Sequence, residues 1–315
     1  MSLAFLFPGQ GSQAVGMGAE LAEAFAQARE VFGEVDEALG QSLFRLMREG
    51  PIEELTLTQN AQPALMAVSL AVMAALKGQF GVPVEKAAFA AGHSLGEYSA
   101  LAAAGALGLS DTARLLRRRG EAMQRAVPVG AGAMASLIGP KADVALAEAA
   151  ARAGEKAGVC VVANDNNAGN VVISGDKAAV DLAIAEAKTL GARAVPLNVS
   201  APFHCPLMAP AAREMAEALA EVTILPPRAP IVTNVTARPT LDPEAIRALL
   251  VEQVTGRVRW RESVEWLAGD GGVTRFAEAG AGKVLAGMVK RIAPDAEALS
   301  LNGPADLEAF AKALA

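Results

Sequence analysis

Apolar residues follow two rhythms along this chain. Short, mostly apolar runs at Leu3-Ala4-Phe5-Leu6-Phe7, Ala87-Ala88-Phe89-Ala90-Ala91, Ile231-Val232-Thr233-Asn234 and 273–277 read as buried strands. Longer stretches read as helices: about 19–38, 41–49, 59–80, Leu95 to Ala106, 207–221, 243–254, 261–268 and 283–292. Gly40 and Gly50 supply plausible stops, and Ser110-Asp111-Thr112 reads as the N-cap of a further helix to about Ala126. Short strands alternating with helices in both outer segments predict a mainly parallel sheet covered on both faces.

Val127-Pro128-Val129-Gly130-Ala131-Gly132 breaks that rhythm. After it come a strand (133–138), an Ala-rich helix (141–157), two strands (159–163 and 170–174) joined by a polar turn from Asn164 to Gly169, a helix (176–190) and a strand (192–198). The order β-α-β-β-α-β is that of a ferredoxin-like split unit. The expected organisation is a large α/β-hydrolase-like domain, residues 1–127 and 199–315, with a small ferredoxin-like domain, 128–198, inserted into it.

Composition narrows the function classes. A chain of 315 residues allows one large or two modest domains with ample core. Its net charge of −6 argues against a broad nucleic-acid surface. Two cysteines, Cys160 and Cys205, make no disulfide framework, and a cytoplasmic compartment is expected. The N-terminus has no basic region, and its apolar run is too short for a signal peptide. The longest apolar run, Pro63 to Leu76, is too short to span a bilayer, so no membrane association is expected. No metal-ligand cluster appears, and no cofactor or metal is expected.

Candidate chemistry centres on Gly92-His93-Ser94-Leu95-Gly96, which follows a strand and opens a helix. Strand, tight turn and helix with a serine between two glycines make a nucleophile elbow. Side chains at Gly92 and Gly96 would collide with the neighbouring strand and helix. The hydroxyl would project at a helix N-terminus, where N–H groups favour a developing oxyanion. Of the two histidines, His93 adjoins Ser94 at the strand end and should point away from its hydroxyl, which leaves His204 as candidate base. His204 lies between Pro202 and Pro206, on a stiffened loop. Cys205 is a weak rival nucleophile, and Asp111, Asp143, Asp165 and Asp181 all remain open as a third acid. Arg119 ends the run Arg117-Arg118-Arg119, which by itself reads more readily as a solvated helix face than as a ligand site. The loop Pro8-Gly9-Gln10-Gly11-Ser12-Gln13 is either a close backbone approach or a plain connection. Gly280-Ala281-Gly282-Lys283 is not a phosphate loop, because Val284 stands where a magnesium-binding Ser or Thr is needed. It reads as a helix start with a close backbone approach.

Taken together, Phe7-Pro8-Gly9-Gln10-Gly11-Ser12-Gln13, Gly92-His93-Ser94-Leu95-Gly96-Glu97-Tyr98, Arg119-Gly120 with Met123-Gln124, Phe203-His204-Cys205, Gln253 and the stretch from Gly280 to Lys290 resemble the bacterial malonyl-CoA:acyl carrier protein transacylases along the full length. The resemblance implies that Ser94 is acylated and His204 is its base. It implies an oxyanion hole from the backbone N–H groups of Gln10 and Leu95, and a His204 oriented by the Gln253 carbonyl. Arg119 would then pair with the malonyl carboxylate, while Met123 and Phe203 contact the acyl group, Phe203 crowding its C2 carbon. The implied partners are malonyl-CoA and a phosphopantetheinylated acyl carrier protein, and the expected state is a monomer. Lys290-Arg291, with Lys283 earlier on the same helix, is the candidate basic patch for an acidic carrier. A serine thioesterase or esterase, and a non-catalytic binding module, are the competing classes.

Overall fold

The computed structural model describes residues 2–314. From the N-terminus the chain forms β1 (Leu3–Phe7), α1 (Ala19–Ala24), α2 (Ala26–Leu39), α3 (Leu43–Glu49), α4 (Ile52–Thr56), α5 (Thr58–Phe80), β2 (Phe89–Gly92), α6 (Leu95–Ala103) and α7 (Leu109–Ala126). A second group follows, with β3 (Gly132–Ile138), α8 (Val144–Gly154), β4 (Cys160–Asn167), β5 (Asn170–Asp176), α9 (Lys177–Thr189) and β6 (Arg193–Pro196). The chain returns through α10 (Ala209–Ala220), β7 (Ile231–Val232), β8 (Pro239–Thr240), α11 (Pro243–Gln253), α12 (Trp260–Ala268), β9 (Arg275–Ala279), α13 (Val284–Ile292), β10 (Glu297–Leu301) and α14 (Pro304–Leu314).

The first and last groups share one sheet of order β10-β9-β1-β2-β7-β8, parallel except where β8 turns back on β7. β1 lies at its centre, and all five of its residues are buried, which is why it reads as an unbroken apolar run. Its neighbour β2 is in register with Phe7 opposite Gly92, so the loops leaving both strands emerge side by side. That register places the Pro8–Gln13 loop beside the elbow. Among the described residues one helix, α5, is long and apolar enough to cross a membrane, and it lies buried within the protein.

The middle group makes a separate antiparallel sheet of order β4-β5-β3-β6. One face is covered by the alanine-rich α8 and α9, whose small side chains bring the helices close to the strands. On the other face Met134, Ala163 and Val172 pack with Val199 and Phe203.

Several sequence expectations shift. The helix expected over 19–38 breaks at Phe25, which is extended. Ser110-Asp111-Thr112 is the first turn of α7 rather than its cap, and Gly108 takes the cap position. The polar turn expected from Asn164 to Gly169 is mostly strand, since β4 continues to Asn167 with two register irregularities. Asn164, Asp165, Asn166 and Asn167 are all buried. Their polarity suggested a loop, but two of them find tertiary partners: Arg261 meets Asp165, and His93 meets Asn166. The edge elements β8, β10 and α14 and the short α4 had no apolar run long enough to mark them.

Candidate active site

The elbow is built by exclusion. A Cβ on Gly92 would lie 1.9 Å from the carbonyl of Gly96, and one on Gly96 would lie 2.1 Å from the Phe7 oxygen. Only hydrogen fits at either position. Between them Ser94 has φ 52° and ψ −111°, a strained conformation for a side-chain-bearing residue. Asn234 holds it there: its Oδ1 accepts from the Ser94 N–H at 2.7 Å, and its Nδ2 donates to the Gly92 carbonyl at 2.6 Å. The N–H groups of Gly96 and Glu97 bond back to His93 and Ser94. The Leu95 N–H stands at the first helical position of α6, where no intrahelical acceptor exists.

The hydroxyl meets the second histidine. Ser94 Oγ is 2.7 Å from His204 Nε2, and His204 Nδ1 is 2.9 Å from the backbone carbonyl of Gln253. A carbonyl can only accept, so Nδ1 carries the proton and Nε2 is free to accept from the serine. His204 is buried and, like Ser94, has a positive φ, 56°. Burial first, and the charge of Arg119 second, pull its pKa down from 6.5 to about 3, so the ring is neutral at neutral pH. None of the four candidate aspartates reaches it. Asp111 pairs with Arg114, Asp143 caps α8, Asp165 pairs with Arg261 and Asp181 with Lys177. Cys205 is buried with its thiol on the Pro202 carbonyl, and burial raises its pKa. His93 Nε2 donates to Asn166 Oδ1 at 3.0 Å, away from the hydroxyl.

Arg119 is the third group at Ser94. Gly120 makes its position possible, because a Cβ there would lie 2.5 Å from Gln59 Cα, so α7 crosses the start of α5 in direct contact. The arginine run does not behave as one face. Arg117 bonds Gln41 and Arg118 reaches Glu214, while Arg119 turns inward and is 1% exposed. Its Nη1 donates to Gln62 Oε1 at 2.7 Å, and its Nη2 donates to Gln253 Oε1 at 2.9 Å and to Ser94 Oγ at 3.2 Å. Its ring neighbour Tyr98 lies 5.6 Å away, with its phenol pushed up to about 12 by burial.

Gln10 completes this edge of the cleft. Thr58 donates to its Oε1 at 2.9 Å, and Gln62 donates in turn to Thr58 at 3.0 Å. A Cβ on Gly9 would come 2.8 Å from the His93 oxygen, so the loop is a close backbone approach to the elbow. Gly280 likewise abuts Ser69 and Pro8. The cleft, of about 330 Å³, is lined by Gln10, Ser94, Arg119, Met123, Phe203 and His204 among others, with the small sheet as its far wall. Gln62, Glu97 and Asn234 were missed by sequence reasoning. Glu97 carried the one available signal, an acid in an otherwise apolar first turn. Lys283 is the residue preceding α13 rather than part of that helix, and Lys290 and Arg291 lie exposed in its last turn.

This arrangement can activate a serine, receive an acyl group and present a cation to it. Relatives have the same extent. A profile of the acyl transferase domain matches residues 4–298. The malonyl CoA-acyl carrier protein transacylase of Escherichia coli strain K12 is 46% identical over 307 residues, covering 97% of each chain. The crystal structure of acyl-carrier-protein-S-malonyltransferase from Bartonella henselae is 53% identical, with a TM-score of 0.97 over 100% of this chain and 99% of that one. A malonyl-transacylase solved in complex with a type II PKS acyl-carrier protein is 41% identical, with a TM-score of 0.95 over 99% of this chain and 100% of that one. Matched from end to end in sequence and in fold, this chain belongs to the acyl transferase family, among the malonyl CoA-acyl carrier protein transacylases.

Proposed function

We propose that the chain transfers a malonyl group from malonyl-CoA to the phosphopantetheine thiol of an acyl carrier protein through a malonyl-Ser94 intermediate. The observation that carries this reading is the convergence on one hydroxyl of an imidazole at 2.7 Å and a buried guanidinium at 3.2 Å. A neutral imidazole activates a serine. A buried guanidinium beside the acylated atom favours an acyl group that brings its own carboxylate.

In this reading Ser94 Oγ attacks the thioester carbonyl as its proton passes to His204 Nε2. The tetrahedral oxygen takes N–H bonds from Gln10 and Leu95, a contribution of about 3–4 kcal/mol for each donor. Collapse breaks the C–S bond, and His204 returns the proton to the departing thiolate. The carrier's thiol then attacks the malonyl-serine ester by the same steps in reverse. Arg119 has five N–H groups, three of them bonded to Gln62, Gln253 and Ser94. The bond to Ser94 is the one that acylation releases, so it becomes available to the malonyl carboxylate. Met123 and Phe203 line the acyl pocket. The complex of one relative with a carrier protein supports the carrier as acceptor, and the relatives' names support transfer over hydrolysis by a serine thioesterase or esterase.

We read residues 1–127 and 199–315 as an α/β-hydrolase-like catalytic domain and 128–198 as a ferredoxin-like insert. Support comes from the two separate sheets and from the order of the small one. A cleft completed within one chain supports action as a monomer, and two unpaired cysteines support a cytoplasmic setting. The test is incubation with radiolabelled malonyl-CoA, with and without holo acyl carrier protein. Label should rest on Ser94 and pass to the carrier. Label on another residue, or release chiefly as free malonate, refutes the reading.

A further inference from the structure

We propose that Glu97 is a positioning residue, whose carboxylate fixes the Gln253 side chain and through it holds Arg119 and the elbow in one frame. The inference rests on the Ser94–His204 reading of the reaction and extends it to a group that takes no part in the chemistry.

Gln253 bonds His204, Arg119 and Ser94 alike. Its backbone carbonyl holds His204, its Oε1 accepts from Arg119, and its Nε2 donates to the Ser94 carbonyl at 3.1 Å and to Glu97 Oε2 at 2.8 Å. An amide side chain works here in one orientation only, because Arg119 offers donors and the Ser94 carbonyl offers an acceptor. Glu97 Oε2 adds a charged acceptor for Nε2, and such bonds are about twice as strong as neutral ones. The same oxygen accepts from the Asn234 N–H at 3.0 Å. Asn234 bonds the Ser94 N–H and the Gly92 carbonyl, Gln253 bonds the Ser94 carbonyl, and Glu97 Oε2 is the acceptor they share. All four residues are nearly inaccessible: Glu97, Arg119 and Asn234 are 1% exposed and Gln253 is fully buried.

Burial raises the Glu97 pKa to about 7, opposed by its N–H partners and by Arg119. The carboxylate is therefore costly to keep where it is, as expected of a group retained for geometry. Both bonds fall on one oxygen, so Glu97→Gln can keep them through its amide oxygen. Glu97→Ala removes both.

The experiment measures single-turnover malonylation of Ser94 by intact-protein mass, and in parallel labelling of Ser94 by a small neutral sulfonyl fluoride. The variants are Glu97→Gln, Glu97→Ala, Gln253→Ala and the double alanine. Glu97→Ala should slow both reactions by about ten- to a hundredfold, the range for a sub-ångström misplacement. Glu97→Gln should stay within about threefold of wild type, and the double variant within about twofold of Gln253→Ala, because residues acting as a unit are not additive. Where Glu97→Ala does not fold, Glu97→Met fills the volume without an acceptor and takes its place. Glu97→Gln losing as much as Glu97→Ala, or losses that multiply in the double variant, overturns the proposal. The sulfonyl fluoride needs no malonyl group, so a wild type that fails to load malonyl refutes the function above while the variant series still decides Glu97.

Discussion

Removing the guanidinium should erase the preference for an acyl group with a carboxylate. Arg119 stands 3.2 Å from Ser94 Oγ; acylation releases that Nη2 bond, and the adjacent Nε–H on the same edge of the guanidinium has no partner in the protein. A hydrogen bond to a charged group contributes about 1.5–3 kcal/mol, and a carboxylate taken in two-pronged fashion makes two. Arg119→Ala should therefore cost malonyl-CoA about 3–6 kcal/mol, or roughly two to four powers of ten in loading rate. The variant also frees the Gln62 and Gln253 side chains, but that loss falls equally on every acyl group and cancels in a ratio. Acetyl-CoA brings no carboxylate and feels only the shared part. The malonyl-to-acetyl ratio of loading rates, followed by intact-protein mass, should fall by about 10²–10⁴. Arg119→Lys keeps a charge without the planar fork and should fall between. A ratio unchanged in Arg119→Ala, with the protein folded by circular dichroism, would refute the clamp.

Further outcomes concern His204, Gly96 and Phe203. The His204 pKa is lowered in the folded protein, so the ring is neutral above about 3, and sulfonyl fluoride labelling of Ser94 should hold its rate well below pH 6.5 before falling. Because the guanidinium charge is the second cause of that lowering, Arg119→Ala should move the acid limb upward; a limb that stays put contradicts the electrostatic account. By the same sign, His204 costs the fold stability as pH drops from 6.5 toward 3, and His204→Ala should flatten that part of the denaturation profile while abolishing acylation. Gly96→Ala puts a Cβ 2.1 Å from the Phe7 oxygen and should lower Tm by more than about 5 °C or prevent folding; a Tm equal to wild type would mean the elbow relaxes freely. Phe203→Ser opens the wall beside His204 and should raise methylmalonyl loading relative to malonyl by about five- to two-hundredfold, and no change in that ratio would show that Phe203 does not crowd C2.

Local geometry was legible in the sequence. Gly92 and Gly96 announce the elbow because a strand that turns straight into a helix leaves no room for Cβ, a constraint contained within five residues. β1 and α5 were legible because burial on all sides demands unbroken apolar sequence. The alternation of strand and helix in the outer segments gave the parallel sheet, and two histidines left a short search for the base.

Tertiary structure decided whatever depends on long-range partners. By residue type four aspartates were eligible to orient His204; the group that does so is the backbone carbonyl of Gln253, to which only the family resemblance pointed, because every residue carries such a carbonyl and composition cannot mark one. Asn164 to Asn167 read as a turn, yet they form a buried strand, in which distant Arg261 and His93 meet Asp165 and Asn166. By residue type alone Arg119 could not be told from Arg117 and Arg118; the family resemblance singled it out, and the physical reason is that α7 crosses α5 at Gly120 and turns one guanidinium of the three toward Ser94. Sequence dictates where the chain must bend and what must be buried. Which buried polar group meets which is fixed only when elements far apart in the chain pack and each donor must find an acceptor.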